Sequence, residues 1–449
     1  MNNKKITKIG TFVIVVFEFL IFSMTWYLDY NDRMFRTFRQ EGFWACLFIW
    51  LMIYLWLCSL YRAFSFASTA VGETVFSQFI SFGIADLVLY IICILLRRGF
   101  VSLWSGIFCV IIQFGFACIA VIVVKRILMQ KMIPSKTVVF YGTNYNARTA
   151  EEFAKRLLQK YSHMFEIEDI IGDTSDMEAV GNTIDQYERV VLLGVNYEHR
   201  KAIAKYCIDT HKVFYFVPEI EEIIFMNCDT KNLFDTPLKR YSFSNERSGY
   251  RFAKRTIDIV ASFVLIFLLS PVMLLIAIAI KTEDFGPIIF TQKRITKDEK
   301  VFSIYKFRSM VVDADNVEKY GVRPTTENDP RITKVGKVIR KFRLDELLQL
   351  FNILKGDMSF VGPRPERIEH VQKYEAELPE FKYRHLVRSG LTGYAQVYGK
   401  YNTSAEDKLK FDLLYIMNAS LFMDFKLFLL TVRTVFQSES TDGFGEKTL

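Results

Sequence analysis

TIDIVASFVLIFLLSPVMLLIAIAIK, residues 256–281, decides how this chain meets a membrane. The segment is apolar from about 257 to 280, close to the length a helix needs to cross the hydrocarbon core. Ser270-Pro271 stands at its centre. Proline removes a backbone donor and clashes with the preceding turn, so it bends a helix. Lys254 and Arg255 precede the run and Lys281 closes it, so both ends suit one phosphate surface. The alternatives are an ordinary kinked span and a helix–break–helix over 254–281 that enters and leaves one leaflet. The second is expected here, because it keeps the soluble parts before and after it on one side.

Upstream, the chain is membrane-like. Over its 449 residues it is 51% apolar, with 42 Phe and mean hydropathy +0.17. That is too apolar and too long for one soluble domain. Four apolar segments run roughly 9–28, 43–61, 76–96 and 101–124. The first is too long for a removable leader and has no small-residue cleavage site. Trp26 and Tyr27 mark its end as interfacial anchors do. Lys4, Lys5, Lys8, Arg62, Lys125, Arg126, Lys131 and Lys136 outnumber Arg33, Arg36, Arg39, Arg97 and Arg98 on the other side. The positive-inside rule then places the termini in the cytoplasm. Glu18 and Asp86 lie inside spans and read as bundle-interior residues rather than a transport path. The net charge of +8 suits anionic lipid or phosphorylated substrates. The seven Cys form no CxxC pair and the five His no HExxH, so no zinc site, no disulfide framework and a reducing compartment are expected.

Residues 135–245 alternate strand and helix patterns: TVVFYG, then a helical stretch to Tyr161, then IEDIIGD, RVVLLG and KVFYFVP. This argues a parallel α/β sheet, Rossmann-like in pattern. A dinucleotide site would want G-x-G-x-x-G at the first turn. The turn here reads GTNYNA, with Gly142 alone, so dinucleotide binding of the usual kind is not expected.

Past residue 281, FTQKRITKDEKVFSIYKFRSM (290–310) reads as a hairpin carrying Lys293, Arg294, Lys306 and Arg308. RITKVGKVIRKFRLDELLQL follows at 331–350, with six Lys or Arg in its first thirteen residues before Asp345-Glu346. The acids sit at the start of a helical pattern that places Leu347, Leu350, Phe351 and Leu354 on one face. A helix start favours acids electrostatically, which is one explanation of the pair. The other is chemical: cations gather a phosphorylated substrate and one carboxylate attacks it. Neighbouring helix positions diverge by about 100°, so the two acids would divide the work. GPRPE (362–366) holds Arg364 in a stiff loop suited to bidentate phosphate binding.

KRTIDIV…LLSP, FTQKR, IYKFRSM, RLDELLQLFNILKGDMSFVGPRP, RSGLTGYAQVYGK and FDLLYIMNASLFMDFKLFLLT occur in this order. Over about residues 250–440 the chain resembles the bacterial sugar transferase family, the monotopic polyprenyl-phosphate phosphoglycosyl transferases. The spans and middle domain resemble its large, exopolysaccharide-initiating members. The resemblance implies transfer of a phosphosugar from a nucleotide-sugar, UDP-linked, to polyprenyl (undecaprenyl) phosphate, with UMP released. It implies Mg²⁺, a cytoplasmic active site at the inner membrane, and a re-entrant helix broken at Ser270-Pro271. It makes Asp345 the nucleophile, Glu346 its partner, both of them metal ligands. Arg340, Arg364 and Asp412 then match residues at or near the phosphate, and Arg294, Lys306, Arg308 and Arg388 complete the expected binding set. This chain departs from the family's R-P-G-[IL]-T-G-x-A-Q-V-x-G-R pattern at Ser389 and Lys400.

The expected architecture is therefore a four-span membrane α-helical bundle (1–130), a Rossmann-like α/β domain (135–245) and an α/β phosphoglycosyl transferase domain with a re-entrant helix (250–449). LLYIMNASLFMDFKLFLLTV near the C-terminus carries Asn418, Asp424 and Lys426 and reads as a helix lying on the bilayer. Partners are the nucleotide-sugar, the polyprenyl phosphate and the membrane; no nucleic acid is expected, and homo-oligomerisation is left open. Rival functions are a membrane-tethered nucleotide-sugar epimerase or dehydratase, which would need a glycine-rich turn, and a non-catalytic assembly scaffold.

Overall fold

The computed structural model describes residues 3–30, 41–97, 99, 102–142, 145–172, 177–233, 235–240, 248–312, 314, 329–399 and 404–436. Lys400, most of the 313–328 loop and Arg33, Arg36, Arg39 and Arg98 lie outside them. The chain forms two compact units, 1–217 and 218–449.

In the first unit, α1 (Asn3–Thr25), α2 (Glu41–Leu60), α3 (Val71–Arg97) and α4 (Leu103–Lys131) are each long and apolar enough to cross a membrane. Their interior is aromatic: Phe22 stacks on Trp50 at 4.7 Å, and Trp50 on Tyr54 at 4.9 Å. Trp50 Nε1 donates to Asp86 Oδ1 at 2.6 Å, and Glu18 is fully buried. Both acids thus face the bundle.

A four-stranded parallel sheet follows, in order β2-β1-β3-β4, built from β1 (Ser135–Tyr141), β2 (Phe165–Gly172), β3 (Arg189–Leu193) and β4 (Val213–Phe216). Helices α5 (Ala147–Tyr161), α6 (Met177–Asp185) and α7 (Tyr197–Asp209) connect the strands. Thr137 through Phe140 are all buried, as a parallel strand covered on both faces requires. Two observations explain the turn after β1. A Cβ on Gly142 would stand 2.3 Å from the Gly194 carbonyl oxygen, so glycine serves a backbone crossing. The N-terminus of α5 is closed by its own capping box: Asn146 Oδ1 accepts from Thr149 N, and Asn146 N donates to Thr149 Oγ1, both at 2.9 Å. A donor that would otherwise face a phosphate is already satisfied.

Residues 218–245, grouped with this sheet in the sequence reading, fall in the second unit. There α8 (Ile220–Met226) buries Ile220 and Ile223 against Phe381, Leu409 and Leu413, and β5 (Asp229–Leu233) pairs antiparallel with β6 (Thr236–Arg240). Next comes α9 (Ser248–Asp284), a 37-residue helix with Pro271 inside it and the fifth that is long and apolar enough to cross a membrane. Pro271 has no N–H for the Phe267 carbonyl; Ser270 Oγ donates to that carbonyl instead, at 2.8 Å. Around Pro271 the helix is bare, with Phe267 74% and Leu275 67% exposed.

Both ends of α9 bond to the same unit. Near its start, Lys254 pairs with Asp424 at 2.8 Å, and Arg255 donates to the carbonyls of Ile353 and Leu354. At its end, Glu283 accepts from the N–H groups of Lys334 and Val335, and Asp284 pairs with Arg308. A straight helix of this length would run about 55 Å.

The remaining elements are β7 (Ile289–Ile295) paired antiparallel with β8 (Val301–Phe307), α10 (Lys334–Lys341), α11 (Gln349–Lys355), β9 (Ser359–Val361), α12 (Ile368–Glu377), β10 (Gly390–Thr392), α13 (Tyr394–Tyr398), α14 (Ala405–Met417) and α15 (Leu421–Phe436). The stretch expected to lie whole on the bilayer is instead two helices parted at residues 418–420. Leu413, Tyr415 and Ile416 are buried in the first. Asp424 in the second accepts from Tyr250, Lys254 and Tyr415. Asp424, one of the polar residues that argued against a span, holds the helix to the protein.

Candidate functional site

Asp345 and Glu346 do not open a regular helix. They sit on a 3-10 turn, Leu344–Glu346, and α11 starts at Gln349. Arg343, just before the turn, has left-handed φ 53° and ψ 24°. That conformation is costly for a non-glycine residue and recurs at functional sites. The buried face of α11 also differs from the expected one: Gln349, Leu350, Asn352 and Ile353 are buried, while Phe351 is 42% exposed. Asn352 accounts for this. Its Oδ1 accepts from Tyr305 N at 2.9 Å and its Nδ2 donates to the Ser303 carbonyl at 2.8 Å. The amide completes the open edge of β8, and so turns α11 towards the hairpin.

That docking brings cations to the acids. Alternation along β8 sets Lys306 on the same face as buried Phe302 and Ile304. Lys306 Nζ donates to Glu346 Oε1 at 2.8 Å, and Arg364 Nη2 donates to the same oxygen at 3.0 Å. Among the described residues Asp345 makes no hydrogen bond. Burial and then the charge of Glu346 push Asp345 up to about 6, against the pull of Lys306, Arg340 and Arg364. Burial would also raise Glu346, but Lys306, Arg364 and Arg343 outweigh it and hold its carboxyl well below the usual range. The arrangement is one anchored anion beside one unanchored carboxylate, within a cationic surround.

Three further side chains of the expected set are engaged away from the dyad. Arg294 donates to the Pro365 carbonyl and to Gln292 Oε1, at 3.2 and 2.6 Å; burial brings its guanidinium down to about 10. Arg308 pairs with Asp284 and donates to the Pro287 carbonyl at 2.5 Å, so it ties down the end of α9. Asp412 is buried and pairs with Arg384 at 2.9 Å. Arg384 in turn donates to the Arg364 carbonyl at 2.9 Å. Asp412 therefore stands behind Arg364. Arg388 lies with Arg255 in a separate cavity of about 400 Å³ at the root of α9.

Arg384 is the supporting residue that the motifs did not suggest. Arg384→Met should destabilise the chain by about 3 kcal/mol, because it leaves Asp412 buried without its cation. An unchanged thermal transition in detergent would show that the pair does not hold this region.

The Arg364 loop is held by backbone contact. A Cβ on Gly390 would meet Gly362 N at 2.1 Å, and one on Gly393 would meet the Gly362 carbonyl oxygen at 2.1 Å. Ser389, where the family pattern has proline, uses the N–H a proline would lack, donating to Thr296 Oγ1 at 3.1 Å.

Residues 249–438 match the family model for the bacterial sugar transferases. Similar curated proteins include a UDP-N-acetylgalactosamine-undecaprenyl-phosphate N-acetylgalactosaminephosphotransferase of Aeromonas hydrophila, 46% identical over 44% of this chain and 46% of that protein. A UDP-glucose:undecaprenyl-phosphate glucose-1-phosphate transferase of Klebsiella pneumoniae is 35% identical over 62% of this chain and 61% of that protein. A UDP-galactose-lipid carrier transferase of Erwinia amylovora is 29% identical over 73% of each. The matches to the first two thus span 46% and 61% of those relatives' length. The site geometry lies wholly inside the matched region, and residues 249–438 are similar to the bacterial sugar transferases over that length.

Proposed function

We propose that this protein transfers a phosphosugar from a UDP-sugar to polyprenyl (undecaprenyl) phosphate, the first membrane step of surface polysaccharide assembly. The observation that carries this reading is Asp345: a carboxylate free of hydrogen bonds among the described residues, beside an anchored Glu346 and the cations Lys306, Arg340 and Arg364. In the first half-reaction, an Asp345 carboxylate oxygen attacks the sugar-bearing phosphorus and the bond to UMP breaks. In the second, an oxygen of the lipid phosphate attacks the same phosphorus, giving polyprenyl-diphosphate-sugar and freeing Asp345. Arg364 and Arg340 counter the charge on the phosphoryl oxygens.

The donor set also fits Mg²⁺. Lys306 and Arg364 both converge on Glu346 Oε1, and neither is bonded to Oε2. Glu346 Oε2 and the Asp345 carboxylate are therefore the oxygens that would hold the ion, a hard-cation donor type. When bound it would supply charge neutralisation on the diphosphate.

A burst assay tests the reaction. Enzyme incubated with a UDP-sugar, without lipid, should release one UMP per active site and add one phosphosugar mass to the peptide holding Asp345. Failure to release UMP until lipid phosphate is added would point to direct transfer.

We further infer that α9 is re-entrant, with its ends at the cytoplasmic face of the inner membrane. The support is that both ends bond to one unit around a bare centre that holds Pro271. Phe252→Cys and Phe285→Cys, each in a cysteine-free background, should both be shielded from an impermeant thiol reagent outside intact cells. Labelling at 285 alone would mean a full span.

A further inference from the structure

Glu299, Glu375 and His385 come from three separate elements: the turn between β7 and β8, helix α12, and the 3-10 stretch Pro379–Leu386. In the fold, one ligand atom of each lies within 4.8 Å of the others. His385 is only 6% exposed. Its Nδ1 faces Glu375 Oε1 at 3.9 Å, too far for a hydrogen bond. Both atoms are buried, and neither has a hydrogen-bond partner among the described residues. Two buried polar atoms that face each other across such a gap are costly unless something lies between them. A metal ion bonded to imidazole nitrogen and carboxylate oxygen at about 2.0–2.2 Å fits the gap.

The third group is also held in place. Asp298 and Glu299 have φ of 55° and 58°. They are the central residues of the turn, where Asn and Gly are the favoured choices for that backbone. A glutamate is kept there, with its carboxylate beside the other two groups.

We propose that Glu299, Glu375 and His385 bind a divalent transition-metal ion of the zinc or manganese class. The imidazole selects against Mg²⁺ and Ca²⁺, which take oxygen shells. Lys382 lies near Glu375 and Arg384 near His385, and the two carboxylates balance the ion's charge. The site shares no residue with Asp345 and Glu346, and stands whether or not the proposed transfer reaction does. Its role is mechanical. The ion ties the β7–β8 turn to the 3-10 stretch that carries Arg384, and Arg384 bonds the Arg364 carbonyl.

The test uses the full chain in detergent, stripped with chelator and kept in excess Mg²⁺. Equilibrium dialysis against Zn²⁺ or Mn²⁺ alone, followed by elemental analysis, should find one saturable ion per chain and a higher thermal unfolding temperature. Glu299→Asn suits the turn, so it should fold, yet weaken binding by about a hundredfold or more, at or beyond the loss when an outer-shell partner is removed. His385→Gln should do the same. Equal affinity in both variants, or no saturable uptake of either ion, overturns the site and assigns the gap to water.

Discussion

Asp345→Asn is expected to abolish UMP release, in the absence and in the presence of lipid phosphate. The side chain makes no hydrogen bond among the described residues, so an isosteric amide removes charge without disturbing a contact. If Asp345 is the covalent nucleophile, turnover should fall by at least about ten-thousandfold, as when other covalent nucleophiles are removed. The phosphosugar mass on its peptide should disappear as well. Wild-type behaviour has its own signature. Asp345 must be ionised to attack, and its value near 6 means that kcat/KM should fall as pH drops through about 6. Near-normal turnover by Asp345→Asn would make direct transfer the correct mechanism and leave Asp345 as a metal ligand or general base.

Glu346→Gln is expected to cost about a hundredfold in kcat, the usual scale for loss of one positioned charge. Its more specific effect is on pH dependence. The Glu346 charge helps raise Asp345, while Lys306, Arg340 and Arg364 lower it. Without that negative charge burial alone opposes the cations, so Asp345 should ionise at lower pH and the acid limb of kcat/KM should move below its wild-type position. The two effects are opposite in sense: a slower enzyme that tolerates more acid. An acid limb that stays in place, or rises, would show that Glu346 does not set the ionisation of its neighbour.

Much of this arrangement was legible in the sequence, where a feature is local. The apolar run with Pro271, the alternation of β7 and β8 and the adjacency of Asp345 and Glu346 are each written within a few residues. The hairpin forms as the alternation implies, with Ile289 opposite Phe307 and Ile295 opposite Val301. What escaped was pairing through space. Arg294, Lys306 and Arg308 look alike in a basic strand, and only the fold shows that Arg308 is taken by Asp284 while Lys306 meets Glu346. The 3-10 turn under the dyad escaped because Asn352, seven residues after Asp345, draws α11 to the edge of β8. Glu299, Glu375 and His385 have no motif, since the nine residues between the last two and the long interval before them match no metal spacing. Their relation exists only after the turn, α12 and the 3-10 stretch have met.

The bond from Ser270 to the Phe267 carbonyl bears on the timing of synthesis. It closes within four residues. The acceptor that Pro271 leaves without a donor is therefore satisfied by the chain already made, before any residue beyond the segment has left the ribosome. In hydrocarbon no water is available to take that role. A break that depended on the later domain for its missing hydrogen bond would have to wait for that domain to fold. This one does not, so the re-entrant form we propose for the helix is open to it as it is inserted, with Lys254 and Lys281 at one surface. The domain that follows then folds onto ends already placed.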